Sequence, residues 1–455
     1  MTTWLGQFLG TVTAKVLFIG VLVLALLIPM RMIEGLILER MQRYEAARAG
    51  IADVSGAQQT IGGPILVLPY EFTHTRGGQS LRVSDELYLL PEALELAGDV
   101  QVSELRRGIY RVPVYEAVVR VTGRFPNPMI DADLEELELL WSQAHFALPL
   151  SEPRAIREPV RINVGEGAAQ FEPASQRVPG FGQQLVARFA DLGAPALDSV
   201  QTFSVELRLR GTGTLRFLPL GDTTSVSLTS NWSSPSFTGA YLPDDREVTD
   251  TGFAASWRIL ALGRGYPGGF RQSNVIPPQS LAVSIEQSAF GVSLIVPVGV
   301  HEASLRAAKY AVLLIGLSFG AYFLFEIFVG LRLHLLQYLL IGMANCVFYL
   351  LLLALAEHVG FGWAYVSSAV ASTVLIGAYS AAVLGSLGRA LPIAALLAAM
   401  YGYLYVTLRA EDYALLFGAL GVFAALAAFM FMTRRVDWHR VTFGHDRRLG
   451  DEVRA

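Results

Sequence analysis

The sequence predicts a membrane protein of six transmembrane α-helices, one N-terminal and five C-terminal, with a large, mainly antiparallel β extracytoplasmic domain inserted between helices 1 and 2. Three observations lead there. The last third, from Ala307 to Met432, is nearly free of charge, and short polar breaks cut it into runs of bilayer-spanning length. A shorter apolar run, from Val16 to Met30, lies near the N-terminus. Between them the hydrophobic period changes from helical to two, the mark of half-buried strands. Composition agrees, since 53% hydrophobic and 16% charged residues with mean hydropathy +0.44 are not those of an ordinary soluble protein. A formal net charge of −4 offers nothing to a polyanion, so no nucleic-acid partner is expected.

Taken in order, the N-terminal run follows Lys15 and has Ile33 near its end. A cleaved signal peptide is the rival reading. The nearest small-x-small site, Ala47-Arg48-Ala49, lies too far downstream, beyond Glu34, Glu39, Arg40 and Arg43. Residues 1–33 are therefore read as a cytoplasmic N-terminus and an uncleaved signal anchor. The pattern from 34 to 51 continues as a polar, helical stalk.

Residues 34–306 comprise this stalk and a β-rich domain, whose strands fall within 61–300. Phe203, Val205, Leu207 and Leu209 alternate with Ser204, Glu206, Arg208 and Arg210. Gly211-Thr212-Gly213 then predicts a turn into a partner strand at 214–218. Further strands are expected at 63–72, 81–90, 108–124, 225–231, 253–259, 281–286 and 291–297. Helical crossovers for a parallel sheet are few, which favours antiparallel pairing. The clearest helix candidate is 131–141, where Leu134, Leu137 and Trp141 share a face. Prolines at 149, 153, 159, 173 and 179 mark an irregular middle, a place to divide the domain in two. The single cysteine, Cys346, falls in a membrane helix, so the β domain must be stable through core burial without a disulfide.

In the block 307–432 the helices are placed at 307–328, 335–356, 363–384, 390–408 and 413–432, and a cytoplasmic tail follows at 433–455. With six spans, the side that carries both termini holds Arg332, Arg389, Arg434, Arg435, Arg440, Arg447 and Arg448. The opposite short loops hold only Arg409, so the basic side is assigned to the cytoplasm and the β domain to the periplasm. Arg31, Arg40 and Arg43 argue against this orientation, but long translocated domains largely escape the charge rule.

The stretch from Leu228 through Asn231-Trp232-Ser233-Ser234-Pro235 to Tyr241-Leu242-Pro243-Asp244-Asp245-Arg246-Glu247 resembles the CreD family of bacterial inner-membrane proteins. The likeness continues in Gly252-Phe253, Trp257, Lys309-Tyr310-Ala311, Phe325-Glu326, Glu357-His358-Val359-Gly360-Phe361 and Thr433-Arg434-Arg435-Val436-Asp437-Trp438. It covers nearly the whole chain and is weakest in the irregular middle and after Trp438. The resemblance implies an inner membrane, one N-terminal span, a periplasmic domain, a role in cell-envelope integrity and expression under a two-component regulator. It brings no catalytic or ligand-binding residues.

Two enzyme signatures are missing: there is no His-Glu-x-x-His and no phosphate-loop motif among the residues around the seven histidines or elsewhere. No enzyme, cofactor or metal is therefore expected. Asp131, Asp133, Glu135, Glu136 and Glu138 read as the solvated face of a short helix rather than a metal cluster. Asp244-Asp245-Arg246-Glu247 reads as a loop between strands, with calcium as the weaker alternative. Asn231-Trp232-Ser233 matches a glycosylation sequon whose meaning depends on a eukaryotic secretory route. Trp232, Phe237, Tyr241, Phe253 and Trp257 form the densest aromatic group outside the membrane block, as core packing or as a glycan-stacking surface. Candidate site residues in this region are Asn231, Trp232, Arg246 and Glu247.

In the membrane block the candidates are Glu326, Asn345, Glu357 and His358. Glu326 follows an apolar run, where a carboxylate is costly and so marks a candidate functional site. Its plainer reading is a helix-end acid paired with Arg332. Asn345 and Gln337 can bridge helices, and Gly316-x-x-x-Gly320 permits a close helix contact. Glu357-His358 is either a titrating pair or a polar cap at the headgroups. Two functions follow. One is a non-enzymatic envelope protein contacting periplasmic or inner-membrane partners; the other is a small-molecule or lipid transporter with a polar site around Glu326. They part on whether Glu326 and Asn345 converge on one cavity.

Overall fold

A computed structural model describes residues 12–76, 79–126, 138–174, 178–189, 201–274, 278–294, 300–329, 333–410 and 413–434. The chain divides into two compact units, Met1–Tyr44 with Val298–Ala455, and Glu45–Pro297. Among the described residues, six helices are long and apolar enough to cross a membrane.

The first helix, α1 (Val12–Ser55), is continuous through anchor and stalk despite Pro29. Two short helices, α2 (Ala261–Arg264) and α3 (Pro278–Gln287), belong to the β unit. An amphipathic helix, α4 (Val300–Lys309), buries Ala303, Ser304, Ala307 and Ala308 and stands apart from the span expected to begin at residue 307. The remaining spans are α5 (Ala311–Val329), α6 (Leu335–Val359), α7 (Phe361–Leu384), α8 (Leu387–Arg409) and α9 (Ala414–Thr433).

Their packing follows from side-chain spacing. Leu26, Met30, Ile33 and Ile37 recur at three- and four-residue intervals, and this stripe of α1 is buried in the helical core. A side chain at Gly342 of α6 would collide with Leu26 and Phe319, so glycine is needed where these helices meet. The Gly316/Gly320 pair does not play that part. Gly316 faces open space, and Gly320 has only Phe429 at 3.7 Å, an ordinary contact.

The other unit contains β1 (Gln59–Ile61), β2 (Ile65–Arg76), β3 (Gln79–Leu89), β4 (Ala93–Arg107), β5 (Tyr110–Phe125) and β6 (Glu138–Leu139). Then come β7 (His145–Pro149), β8 (Arg161–Val164), β9 (Gly167–Pro173), β10 (Gln184–Arg188), β11 (Gln201–Thr212) and β12 (Thr214–Phe217). The last six are β13 (Thr223–Ser230), β14 (Pro235–Gly239), β15 (Asp245–Thr249), β16 (Gly252–Leu260), β17 (Gly269–Arg271) and β18 (Phe290–Leu294). A 14-stranded sheet runs β15-β16-β13-β4-β5-β11-β8-β9-β10-β7-β2-β3-β17, with β6 on β2, and a four-stranded sheet runs β1-β12-β18-β14. Pairing is mainly antiparallel; β1–β12 and β4–β13 are parallel. In β11 the alternation is realised, with Phe203, Val205, Leu207 and Leu209 buried. On its outer face Glu206 pairs with Arg120 of β5 at 3.7 Å.

Three local expectations fail, and a fourth falls mostly outside the described residues. The segment 211–213 does not make a hairpin: β12 pairs with β1 and β18, and Gly213, at φ 78, carries the chain from one sheet to the other. Three of the four residues of β12 are buried. Residues 281–286 are helical in α3, because a short apolar run has no period of its own and Ile285 buries as part of a helix. Of the helix expected at 131–141, residues 131–137, with four of the five acids, lie outside the described residues. The rest is β6, where Leu139 pairs with Tyr70, and a 3₁₀ turn at Trp141–Gln143. Asp245, Arg246 and Glu247 are not loop but part of β15, an edge strand exposed throughout.

Candidate functional site

Polar side chains inside the helical unit gather at three levels. At the first, Glu326 of α5 is 1% exposed. Its Oε1 accepts from the Lys15 ammonium and from the Leu333 N–H at 3.1 Å, and its Oε2 accepts the Tyr338 hydroxyl at 3.1 Å. Lys15 also donates to the Leu333 carbonyl at 3.0 Å and lies 5.8 Å from the Tyr338 ring centre. Leu333 sits just before α6, where no helical ladder serves its backbone. The ion pair supplies both the acceptor and the donor that this residue would otherwise lack. Arg332, the expected partner, lies outside the described residues. Gln337 does not bridge helices; its carbonyl accepts the His334 N–H at 2.9 Å, closing a capping box on its own helix.

At the second level Asn345 is fully buried. Its amide donates to Ser318 Oγ at 3.3 Å, and its oxygen accepts the Tyr401 hydroxyl at 3.0 Å. The Tyr365 hydroxyl donates to the Tyr401 carbonyl at 2.7 Å, tying α7 to α8. Glu326 and Asn345 therefore share no partner. Ser318 and Glu326 are eight residues apart on α5, about 12 Å along the axis, and Tyr322, bonded to Ser380, lies between them.

The third level is at the far end of α6. Glu357 does not pair with His358, which is exposed in the last turn; it faces Arg40 Nε of α1 at 3.6 Å. His301 of α4 is close to both. Burial, the largest influence, draws its imidazole below the ordinary value; Glu357 opposes this and Arg40 adds to it. Tyr338 and Glu357 are nineteen residues apart on one helix, about 28 Å, close to the thickness of the hydrocarbon layer. The two ion pairs thus bracket the apolar interior.

In the β unit, the Asn231 side chain extends the β4–β13 ladder. Its oxygen accepts the Val102 N–H at 2.8 Å, and its amide donates to the Val102 carbonyl at 3.2 Å. Trp232 is half-buried against the core, its indole donating to the Ser234 carbonyl at 3.1 Å. Phe253 and Trp257 are buried, and Phe237 meets both edge-on, at 5.8 Å in each case. These rings pack with one another. Arg246 and Glu247 are exposed on β15, away from such contacts. Among the described residues no group of His, Cys, Asp and Glu is arranged to hold a metal.

The sequence pattern assigns no site role to Lys15, Tyr338, Arg40 or His301. A signal for the first existed: it is one of two lysines in a chain whose other cations are arginine, and it opens an apolar helix.

These features define a multi-span membrane protein with a large inserted β domain. The sequence model of the family described as "Inner membrane protein CreD" matches residues 11–439, and the chain belongs to that family. It is 30% identical over 424 residues to "Inner membrane protein CreD" of Escherichia coli (strain K12), spanning 92% of this chain and 91% of the relative.

Proposed function

We propose that this chain is a non-catalytic inner-membrane protein that supports envelope integrity, with its β domain in the periplasm and both termini in the cytoplasm. The observation that carries the reading is the placing of the buried polar groups. Glu326 is occupied by Lys15, Leu333 and Tyr338 at one end of the apolar layer, and Asn345 by Ser318 and Tyr401 at another level. A transporter site is expected near the midplane with its polar groups converging on the substrate, and this separation weighs against one. The helices then act as an anchor and contact surface for membrane partners, and the β unit as a platform for periplasmic ones. The arginine distribution supports the orientation. Expression under a two-component regulator is part of the same reading.

The test is complementation of detergent sensitivity in cells lacking the protein, at matched protein level. The double variant Lys15→Met/Glu326→Gln removes both charges and keeps an acceptor for the Leu333 N–H. An anchor survives the change and complements. Loss of complementation with normal insertion would instead favour transport through Glu326. A periplasm-dependent reporter fused after Gly165 or Gly360 should be active, and one fused after Gly388 or at the C-terminus silent.

A further inference from the structure

A cavity of about 580 Å³ opens on the large sheet of the β unit, lined among others by Pro69, Asp85, Glu86, His145, Arg188 and Gln272. Strand register orders its charges. Arg188 of β10 is opposite His145 of β7, His145 is opposite Val67 of β2, and Val67 is opposite Tyr88 of β3. Cross-strand neighbours share a face, and Glu86, two residues from Tyr88, is on that face too. Adjacent strands lie about 4.8 Å apart, so Glu86 and Arg188 stand on strands about 14 Å apart with His145 between them.

Each wall keeps one group with bonding capacity to spare. Asp85 is used locally, its two oxygens accepting the Tyr70 hydroxyl at 2.8 Å and the Glu86 N–H at 2.9 Å. Glu86 accepts the Tyr88 hydroxyl through Oε2 at 2.7 Å. Burial pushes the Tyr88 hydroxyl well up, so the proton stays on the tyrosine. Glu86 Oε1 has no donor among the described residues, and the Arg188 guanidinium makes no ion pair or hydrogen bond with any of them. His145 is buried, which draws its imidazole below the ordinary value and keeps it neutral at pH 7. Its Nδ1 lies 3.2 Å from the Gln143 carbonyl, so Nδ1 carries the proton and Nε2 is an acceptor.

We propose that this cavity binds a short zwitterionic peptide, its ammonium taken by Glu86 Oε1 and its carboxylate held by the Arg188 guanidinium, with the neutral His145 between them. The span selects the length. Glu86 also lies two residues along its strand from the row of Arg188, so the two backbones are about 16 Å apart. Two extended residues cover about 7 Å of this, and the Glu86 and Arg188 side chains span the rest. A free α-amino acid is too short to reach both walls. A carboxylate–arginine clamp on one side and an anionic acceptor on the other also reject peptides with either terminus blocked.

The experiment is calorimetric titration of the full-length protein in detergent with glycylglycine, N-acetyl-glycylglycine, glycylglycine amide and glycine. Glycylglycine should bind, and each of the other three should bind at least about tenfold more weakly, as expected for a lost hydrogen bond to a charged group. Glu86→Gln should weaken glycylglycine and abolish the discrimination against the acetylated peptide, and Arg188→Gln should do the same for the amide. Both side chains lie at the cavity surface, so thermal unfolding of the variants should match the parent. No binding of glycylglycine, or equal binding of the blocked peptides, would overturn the assignment.

Discussion

Lys15 and Arg264 are both buried cations, one in each unit, and they are held in opposite ways. The Lys15 side chain, 12% exposed, meets a full opposite charge in Glu326. The Arg264 side chain, 1% exposed, is held mostly by backbone. Its Nη1 donates to the Leu220 and Gly221 carbonyls at 2.7 Å each, and its Nε to the Tyr266 carbonyl at 3.0 Å. Its carboxylate partner, Asp222 at 2.9 Å, is 52% exposed and already well hydrated. The difference reflects what each environment leaves unpaired. Helices satisfy their own carbonyls, so a cation among them must find an acid. A β unit with irregular connections has spare carbonyls, and one guanidinium with five donors can gather several. A charge balanced by a charge can be removed as a pair; a charge balanced by backbone cannot.

That contrast yields the largest expected effect. Lys15→Met leaves the Glu326 carboxylate uncompensated in an apolar surrounding, at a cost of about 3–5 kcal/mol. The variant should accumulate poorly and lose thermal stability in detergent. Adding Glu326→Gln should recover most of the loss. A double variant as unstable as Lys15→Met would break the comparison.

Arg264→Met comes next. Three carbonyls lose a donor, and each unsatisfied buried group costs about 1–3 kcal/mol, less whatever relaxation and water recover. Cooperative unfolding of the β unit in the intact protein should shift down by several degrees. Asp222→Asn alone should change little, and combined with Arg264→Met it should rescue nothing.

The same contrast explains what could be read from the sequence. The five C-terminal spans are legible to within about four residues, because a bilayer demands long runs without charge and the breaks between them are polar. The partner of Glu326 was not legible, since Lys15 is 311 residues away and a pairing so remote leaves no local pattern. Glu326 itself stood out for its cost, and Arg332 was named only because it was near in sequence. In the β unit, β11 and β5 showed alternation because one face of each is wet. β7 is buried at all five positions and therefore has no alternation to show. The apolar run of α3 was read as strand for a related reason: it is too short to display its period.

Single hydrogen bonds should register less than either cation. Asn231→Ala ends the side-chain extension of the β4–β13 ladder and leaves the Val102 backbone to water, for about 1 kcal/mol. Tyr401→Phe removes the donor to Asn345 inside the helical unit, where interhelical bonds average about 0.6 kcal/mol. A bond worth more in lipid than at the sheet edge would reverse this order, and unfolding in detergent with matched controls reads it directly.

His145 offers a third way of burying a basic group, which is to give up the charge. Its imidazole is drawn below the ordinary value chiefly by burial, with Arg188 acting the same way and Glu86 and the Gln143 carbonyl acting against it. The unfolded chain therefore takes up this proton at a higher pH than the folded one. Across that window the unfolded state binds more protons, so stability rises with pH. The contribution is present in full above the ordinary histidine range and is lost as pH falls through the depressed value. Asp85 acts in a separate, lower window. Burial would raise its carboxyl, but hydrogen bonds from Ser273, Tyr70 and the Glu86 N–H together bring it below the ordinary value. Its share of stability is lost only as pH falls through that still lower value. Between about pH 7.5 and about pH 5.5, where histidines titrate, the unfolding midpoint of the β unit should fall for the parent and fall less for His145→Gln. Parallel curves for the two proteins would mean that His145 is solvated in the folded state, and the neutral base placed between Glu86 and Arg188 would have to be withdrawn.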